Sequence, residues 1–114
     1  MIQEKESLDT RITVNEEGKE AFSLTDLTNF EGKNPKLRLY AHVRVQPGEE
    51  VSYHTHYGES ESYYILAGRG LYWDNDKEMV VNPGTVTLTT SGNGHAIRNI
   101  GENFLEFMAF ILLD

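Results

Sequence analysis

The stretch from Gly48 to Gly68 reads GEEVSYHTHYGESESYYILAG and concentrates side chains that bind metal ions. His54 and His56 are separated by one residue, so in a β-strand their imidazoles lie on the same face. Glu61 follows after a short bend and adds a carboxylate. One short segment rarely encloses a metal ion and leaves room for a substrate. A site here therefore needs a further ligand from another part of the chain.

A second stretch, GTVTLTTSGNGHAIRN from Gly84 to Asn99, offers that ligand in His95. If the fold returns a strand across the first stretch, His95 completes a set of three imidazoles and one carboxylate. Such a mixed nitrogen and oxygen set suits Mn(II), Fe(II), Co(II), Ni(II), Cu(II) or Zn(II). Four protein ligands on an ion that prefers six leave positions for water, substrate or oxygen. We expect one divalent transition metal per chain.

The spacing of both stretches resembles the two sequence motifs of the cupin superfamily. From Gly48 it is G-x5-H-x-H-x4-E-x6-G, and from Gly84 it is G-x5-T-x-G-x2-H-x3-N. The resemblance covers Gly48 to Asn99 and departs from the family pattern at Thr90, where cupins usually carry a proline that rigidifies a turn. It implies an all-β double-stranded β-helix, or jelly roll, whose two motifs form adjacent hairpins. The metal ligands His54, His56, Glu61 and His95 would then face the barrel interior.

The rest of the chain reads as one strand after another. Residues 37–45 alternate apolar and polar side chains, and at least eight such segments are separated by turns rich in glycine, asparagine and proline. This pattern is typical of a sandwich or barrel. We expect a single cupin domain over residues 1–114, with N-terminal strands and a loop at 1–36 and the barrel at 37–114. A single helical turn is predicted at 25–30.

Composition narrows the classes of function. The chain of 114 residues has no cysteine, which excludes disulfides and a thiol nucleophile, and its net charge of −8 argues against nucleic-acid binding. The longest apolar run, 104–113, contains Glu106 and is about half as long as a membrane helix. The N-terminus lacks the apolar core of a signal peptide. We expect a cytoplasmic protein that binds a small molecule.

The apolar run 104–113 has hydrophobic residues on both faces. An antiparallel strand with one wet side is not expected to show this pattern. Either the strand is central to the barrel, or its outer face contacts a second subunit. Because an exposed apolar sheet face promotes aggregation, we expect a homodimer.

Several other side chains are candidates for supporting roles. Tyr63 shares a strand face with Glu61 and is a candidate catalytic hydroxyl. His42 is a candidate acid or base, although its strand face is polar and also fits a surface or dimer contact. Glu59 is an alternative carboxylate ligand, although the spacing to Gly68 favours Glu61 and places Glu59 in a solvated loop. Asn99 is expected to brace a turn by hydrogen bonding.

Three functions remain open at this stage, because the cupin scaffold serves many chemistries. The first is a metal-dependent enzyme of isomerase, epimerase or lyase type on a small oxygen-rich substrate. The second is an oxygen-dependent dioxygenase, because three histidines and a glutamate resemble the ligand set of such cupins. The third is a non-catalytic sensor of a small ligand or metal. No organic cofactor site is predicted.

Overall fold

The computed structural model describes residues 1–114 as two antiparallel β-sheets packed face to face. Its strands are β1 (Thr10–Val14), β2 (Glu20–Asp26), β3 (Leu37–Val45), β4 (Glu50–Thr55), β5 (Glu59–Ala67), β6 (Gly70–Asp74), β7 (Lys77–Val81), β8 (Val86–Thr89), β9 (Gly94–Asn99) and β10 (Leu105–Leu113). The one helical element is a 3₁₀ turn at Lys5–Ser7, and no helix has the length and hydrophobicity needed to cross a membrane. The architecture is the double-stranded β-helix that the sequence motifs imply.

The larger sheet has the order β1-β2-β3-β10-β5-β8, and the smaller sheet has the order β4-β9-β6-β7. The hydrophobic core lies between them and consists of alternate residues from the inner faces: Val43, Val45, Tyr63, Ile65, Tyr72, Val81, Ile97, Leu105, Phe107 and Ala109. The two ligand-bearing stretches meet through β5 in one sheet and β4 with β9 in the other. The four candidate metal ligands thus lie in the space between the sheets.

Strand β10 is central to the larger sheet. It pairs with β3 on one side and with β5 on the other, so that Phe107 lies opposite both Val43 and Ile65. Its inner face is buried, whereas Phe110 and Leu112 on the outer face remain 40% and 46% exposed. The central position explains why the run is apolar on its inner face. It leaves the outer hydrophobic face without a covering element in the single chain.

The expected helical turn at 25–30 is wrong. Strand β2 extends to Asp26, and Thr25 pairs with both Thr10 of β1 and His42 of β3. Pairing on both sides satisfies the backbone groups that a helical turn would otherwise satisfy internally. After the strand, Asp26 Oδ1 accepts a hydrogen bond from the backbone N–H of Thr28 at 2.7 Å, which makes a turn in place of a helix.

Asn99 holds the turn that follows β9, as its position in the second motif predicts. The side chain is buried, and its Nδ2 donates to the carbonyl oxygens of Val45 at 2.9 Å and Asn103 at 2.8 Å. Its Oδ1 accepts from the backbone N–H of Gly101 at 2.9 Å. A short amide side chain thus ties the end of β9 to the end of β3 and to the loop before β10.

Candidate metal centre

Four side chains converge on one point between the sheets. His54 lies on β4 directly opposite His95 on β9, His56 follows the end of β4, and Glu61 points inward from β5. The ligating atoms of all four lie within 4.8 Å of one another. His56, Glu61 and His95 are buried, and His54 is half-buried. The structure therefore brings together the four residues that the two motifs single out.

A β-bulge turns the H-x-H pair inward. Val51 lies opposite Ile97 and His54 lies opposite His95, so β4 has one residue more than β9 over this interval. In a regular strand Val51 and His54 would face opposite sides, because alternation has a period of two. The extra residue lets both side chains line the same cavity. The bulge is part of how the site is built.

The Nε2 atoms of the histidines face one another. His95 Nε2 lies 3.0 Å from His54 Nε2 and 3.1 Å from His56 Nε2. Glu61 Oε1 lies 2.9 Å from Nε2 of both His56 and His95, and 3.6 Å from Nε2 of His54. Lone pairs and a carboxylate at these separations repel one another unless positive charge lies among them.

Partners of the Nδ1 atoms determine which nitrogen is free to bind a cation. His54 Nδ1 donates to the carbonyl oxygen of Ser52 at 2.7 Å, and His56 Nδ1 donates to Glu59 Oε2 at 2.6 Å. These acceptors place the proton of a neutral imidazole on Nδ1 and leave Nε2 as a lone pair.

His95 is fixed from its other side by hydroxyl groups. Its Nδ1 lies 2.8 Å from the hydroxyl of Tyr72 and 3.0 Å from that of Thr89. Tyr63 stacks on the same imidazole with ring centroids 4.9 Å apart. Such contacts hold a metal-binding imidazole in orientation and tune its basicity.

Glu61 provides a fixed negative charge. Burial by itself would raise the pKa of Glu61, but hydrogen bonding with His54 and His95, together with the positive charge that His95 and His56 can carry, lowers that pKa to about 2. Glu61 Oε1 is buried without a conventional hydrogen-bond donor when the imidazoles are neutral. The centre therefore requires positive charge, supplied either by protons on Nε2 atoms or by a metal cation. The donor set fits a transition metal.

Protons and metal compete for the same nitrogen atoms, which predicts a pH dependence. The pKa of His54 is raised above 6.5, chiefly by its hydrogen bond with Glu61. A raised pKa favours imidazolium, which cannot bind a metal. As the pH is lowered, the affinity for a divalent ion should therefore begin to fall while the pH is still above 6.5, and it should fall further at acidic pH. Chelator competition measured from about pH 5 to about pH 8 tests this. An affinity that does not change over this range would contradict the assignment of His54.

A cavity opens beside the four candidate ligands, and His54, His56 and Glu61 line it. It has a volume of about 380 Å³, and most of the residues that line it are hydrophobic. They come from both sheets and include Phe22 and Leu24 of β2. The ligand-facing atoms of the centre are thus accessible from a pocket large enough for a small organic molecule.

Glu59 is not in a solvated loop, contrary to expectation. It begins β5 on the same face as Glu61, and its side chain is 13% exposed. Besides accepting from His56, it pairs with Arg38 across a distance of 3.4 Å. Glu61 contacts the Nε2 atoms of the histidines, whereas Glu59 accepts a hydrogen bond from Nδ1 of His56. Residues two apart in a strand share a face. The position of Glu59 two residues before Glu61 is therefore the sequence signal for a role of Glu59 beside the centre.

Arg38 reaches the cavity because of a second bulge. Leu39 lies opposite Ile111 and Leu37 lies opposite Leu112, so Arg38 is an extra residue on β3 with no partner on β10. Arg38 and Leu39 consequently both line the cavity, although alternation along β3 places Arg38 on the outer polar face. No feature of the sequence marks this bulge.

The two candidate catalytic residues differ in position. Tyr63 is buried in the cavity wall beside Glu61 and His95, and burial raises its pKa well above 10, with the Glu61 charge adding to the effect. It keeps its proton at neutral pH and acts as a hydrogen-bond donor. His42 faces away from the centre, and its Nε2 lies 3.1 Å from Glu106. The alternative of a surface role for His42 is the one that the geometry supports.

Comparison with known proteins agrees with this geometry. The sequence profile of the cupin domain matches residues 41–111, which contain both motifs. The chain belongs to the cupin family. The oxalate-binding protein of Thermotoga maritima is 38% identical to this cupin over 113 residues, which cover 99% of the chain and 93% of that relative.

Solved cupin structures superpose on the whole chain. The crystal structure of a predicted oxalate decarboxylase from Thermotoga maritima has a TM-score of 0.88 and 36% identity, with 100% of both chains covered. A sugar phosphate isomerase of the cupin superfamily from Silicibacter pomeroyi has a TM-score of 0.81, covering 100% of this chain and 76% of its own. At 21% identity, this second likeness concerns the fold alone.

Proposed function

We propose that this cupin binds one divalent transition metal through His54, His56, Glu61 and His95, and that the metal binds a small oxygen-rich organic anion. The observation that carries the proposal is the convergence of three imidazole Nε2 atoms on a buried carboxylate oxygen that pairs with no lysine or arginine. A buried charge without a partner is strongly unfavourable. The hydrophobic packing of the domain does not require such a charge at this place. A bound cation would compensate the charge of the buried carboxylate.

The metal would act as a Lewis acid that polarises the oxygen atoms of the bound molecule. The chain supplies the rest of the environment. Glu61 keeps its negative charge, and the apolar walls limit access of water. Tyr63 retains its proton beside Glu61, so it serves as a donor and not as a base. These features suit stabilisation of negative charge that develops on a substrate oxygen.

The relative from Thermotoga maritima is named for oxalate binding, and its 38% identity extends over nearly the whole chain. We infer that a carboxylate is the group that this centre recognises, and oxalate is the first ligand to test. A lyase or isomerase reaction on such an acid is the enzymatic form of the proposal. An oxygenase needs a redox-active metal, and a sensor shows binding without turnover. The identity of the metal and a turnover assay therefore distinguish a lyase or isomerase from an oxygenase and from a sensor.

Isothermal titration of oxalate into protein reconstituted with Mn(II), with Zn(II) and without metal tests the proposal. We expect binding that requires the metal and is lost in Glu61→Gln. Glu50→Gln, at an exposed position of β4, is the matched control and should bind as the wild type does. Equal oxalate binding with and without metal would contradict the proposal, as would full binding by Glu61→Gln.

We also propose a homodimer formed through the outer face of the larger sheet. Four large side chains on this face are at least 40% exposed: Tyr40, Tyr64, Phe110 and Leu112. Tyr40 and Phe110 lie opposite each other on β3 and β10. A contiguous apolar face of this kind is self-complementary when two copies meet about a two-fold axis.

Substituting Phe110→Lys should convert the dimer to a monomer, because each two-fold interface would then bury two unpaired charges. Light scattering after size-exclusion chromatography measures the mass. Met79→Lys, at an exposed position of β7 in the smaller sheet, is the control and should remain dimeric. A wild-type protein that is monomeric at all concentrations, or a dimeric Phe110→Lys variant, would rule out this interface.

A further inference from the structure

We propose that the ligand of this centre is a monocarboxylic acid with an oxygen on the adjacent carbon and an apolar side chain, that is, a branched or aromatic 2-oxo or 2-hydroxy acid. The inference rests on the proposed function, since the acid group is taken to bind the metal. Two neighbouring oxygens suit an ion to which the protein gives four ligands. The size, lining and charge of the cavity identify the remainder of the molecule.

A ligand of two carbons would not fill the cavity. Its volume of about 380 Å³ corresponds to roughly a dozen waters at ~30 Å³ each. Oxalate placed against the four ligands would leave most of this space to water held against hydrophobic walls. A ligand that fills the space must extend away from the metal.

The part of the cavity beyond the metal ligands is apolar. Phe22 and Leu24 of β2, Leu39 of β3 and Val51 of β4 pack against the core and yet stay partly exposed. They are on the inner faces of their strands, and the surface that they leave uncovered faces the cavity. Covering these side chains with an apolar group removes hydrocarbon from water on both partners, which tightens binding by about 4-fold for each buried CH₂.

Charge in the cavity matches one negative charge on the ligand. Arg38 is the one lysine or arginine among the lining residues, and Glu59 lies 3.4 Å from it and balances its charge. A divalent ion beside Glu61 then leaves a single positive charge, because the three imidazoles are neutral when they bind metal. A monocarboxylate neutralises that charge. A phosphate ester, or a second carboxylate placed against the apolar wall away from the metal, would bring a further negative charge without a partner.

Titration of Mn(II)-reconstituted protein with oxalate, pyruvate, 4-methyl-2-oxopentanoate and phenylpyruvate tests the inference by calorimetry. We expect 4-methyl-2-oxopentanoate or phenylpyruvate to bind about 10-fold or more tightly than pyruvate, because the added carbons are buried against the apolar wall. If oxalate binds and neither larger acid binds more tightly than pyruvate, this inference is overturned while the proposed function stands. If none of the acids binds to the metal-loaded protein, the proposed function itself fails.

A nearly isosteric substitution tests where the side chain of the ligand lies. Val51→Thr keeps the shape of the wall and turns a methyl into a hydroxyl, so it should weaken binding of 4-methyl-2-oxopentanoate several-fold more than it weakens binding of pyruvate. Val86→Thr, at a position 66% exposed on β8, is the matched control for the same chemical change. Equal affinities of Val51→Thr and wild type for the branched acid would contradict the proposed contact with the wall.

Discussion

Replacing His95 by alanine should lower the affinity for a divalent transition metal by more than about 100-fold. Loss of a group that merely supports a metal ligand costs about 10- to 100-fold, and His95 is a ligand in this account. It is the most central of the four, since its Nε2 contacts His54, His56 and Glu61 at 3.0, 3.1 and 2.9 Å. The other three ligands lose their common neighbour when it is removed.

Thermal unfolding with and without metal measures this effect. A ligand present at 100 times its Kd stabilises the native state by about 2.7 kcal/mol, which is about 10 °C in Tm for a domain of this size. The wild type should show that rise, and His95→Ala should show less than about 2 °C. Comparing each protein with its own metal-free form removes any intrinsic effect on stability. His42→Ala, a histidine outside the centre, should retain the full rise, and a full rise in His95→Ala would exclude the ligand assignment.

Gly68→Ala should destabilise the fold by about 2 to 5 kcal/mol. Gly68 ends the first motif with φ at +86°, a conformation that costs about 1–2 kcal/mol for a residue with a Cβ. The added Cβ would also lie 2.5 Å from the carbonyl oxygen of Phe104 and 2.9 Å from Leu105 Cα. Backbone contacts this close force a shift of β5 against the loop before β10, which adds a further 1–3 kcal/mol or so.

Gly48→Ala separates the two contributions. Gly48 begins the same motif with φ at +80°, but no atom lies within 4 Å of its added Cβ. Its substitution should cost only the conformational term of about 1–2 kcal/mol. Urea denaturation of both variants gives the free energies of unfolding. Equal losses for the two glycines would show that close approach of the backbone is not the reason for glycine at position 68.

The fold and the convergence of the four candidate ligands could be predicted because the spacing of two sequence motifs resembles that of cupins. His54 and His56 share a strand face, Glu61 and Tyr63 share another, and turn glycines separate the strands. The structure shows these strands in the double-stranded β-helix, and the family assignment agrees with it. Asn99 bracing its turn also follows from its position in the motif.

What the sequence did not reveal depends on register and on long-range packing. The bulges that turn His54 and Arg38 into the cavity come from single extra residues in pairs of strands that are far apart in the chain. The contact of Glu59 with His56 depends on where β5 begins. Strand β2 has a weak pattern of its own and gains its structure from pairing with β1 and β3, so its contribution to the cavity wall was missed.

The most direct test of the metal centre is elemental analysis of protein purified without a histidine tag, beside a His54→Ala/His56→Ala double variant. The account predicts about one transition-metal ion per wild-type chain and almost none in the variant, because half of the protein ligands are then absent. The identity of the metal also ranks redox against non-redox chemistry. Wild-type protein that holds no more metal than the variant, even after reconstitution, would contradict the four-ligand centre.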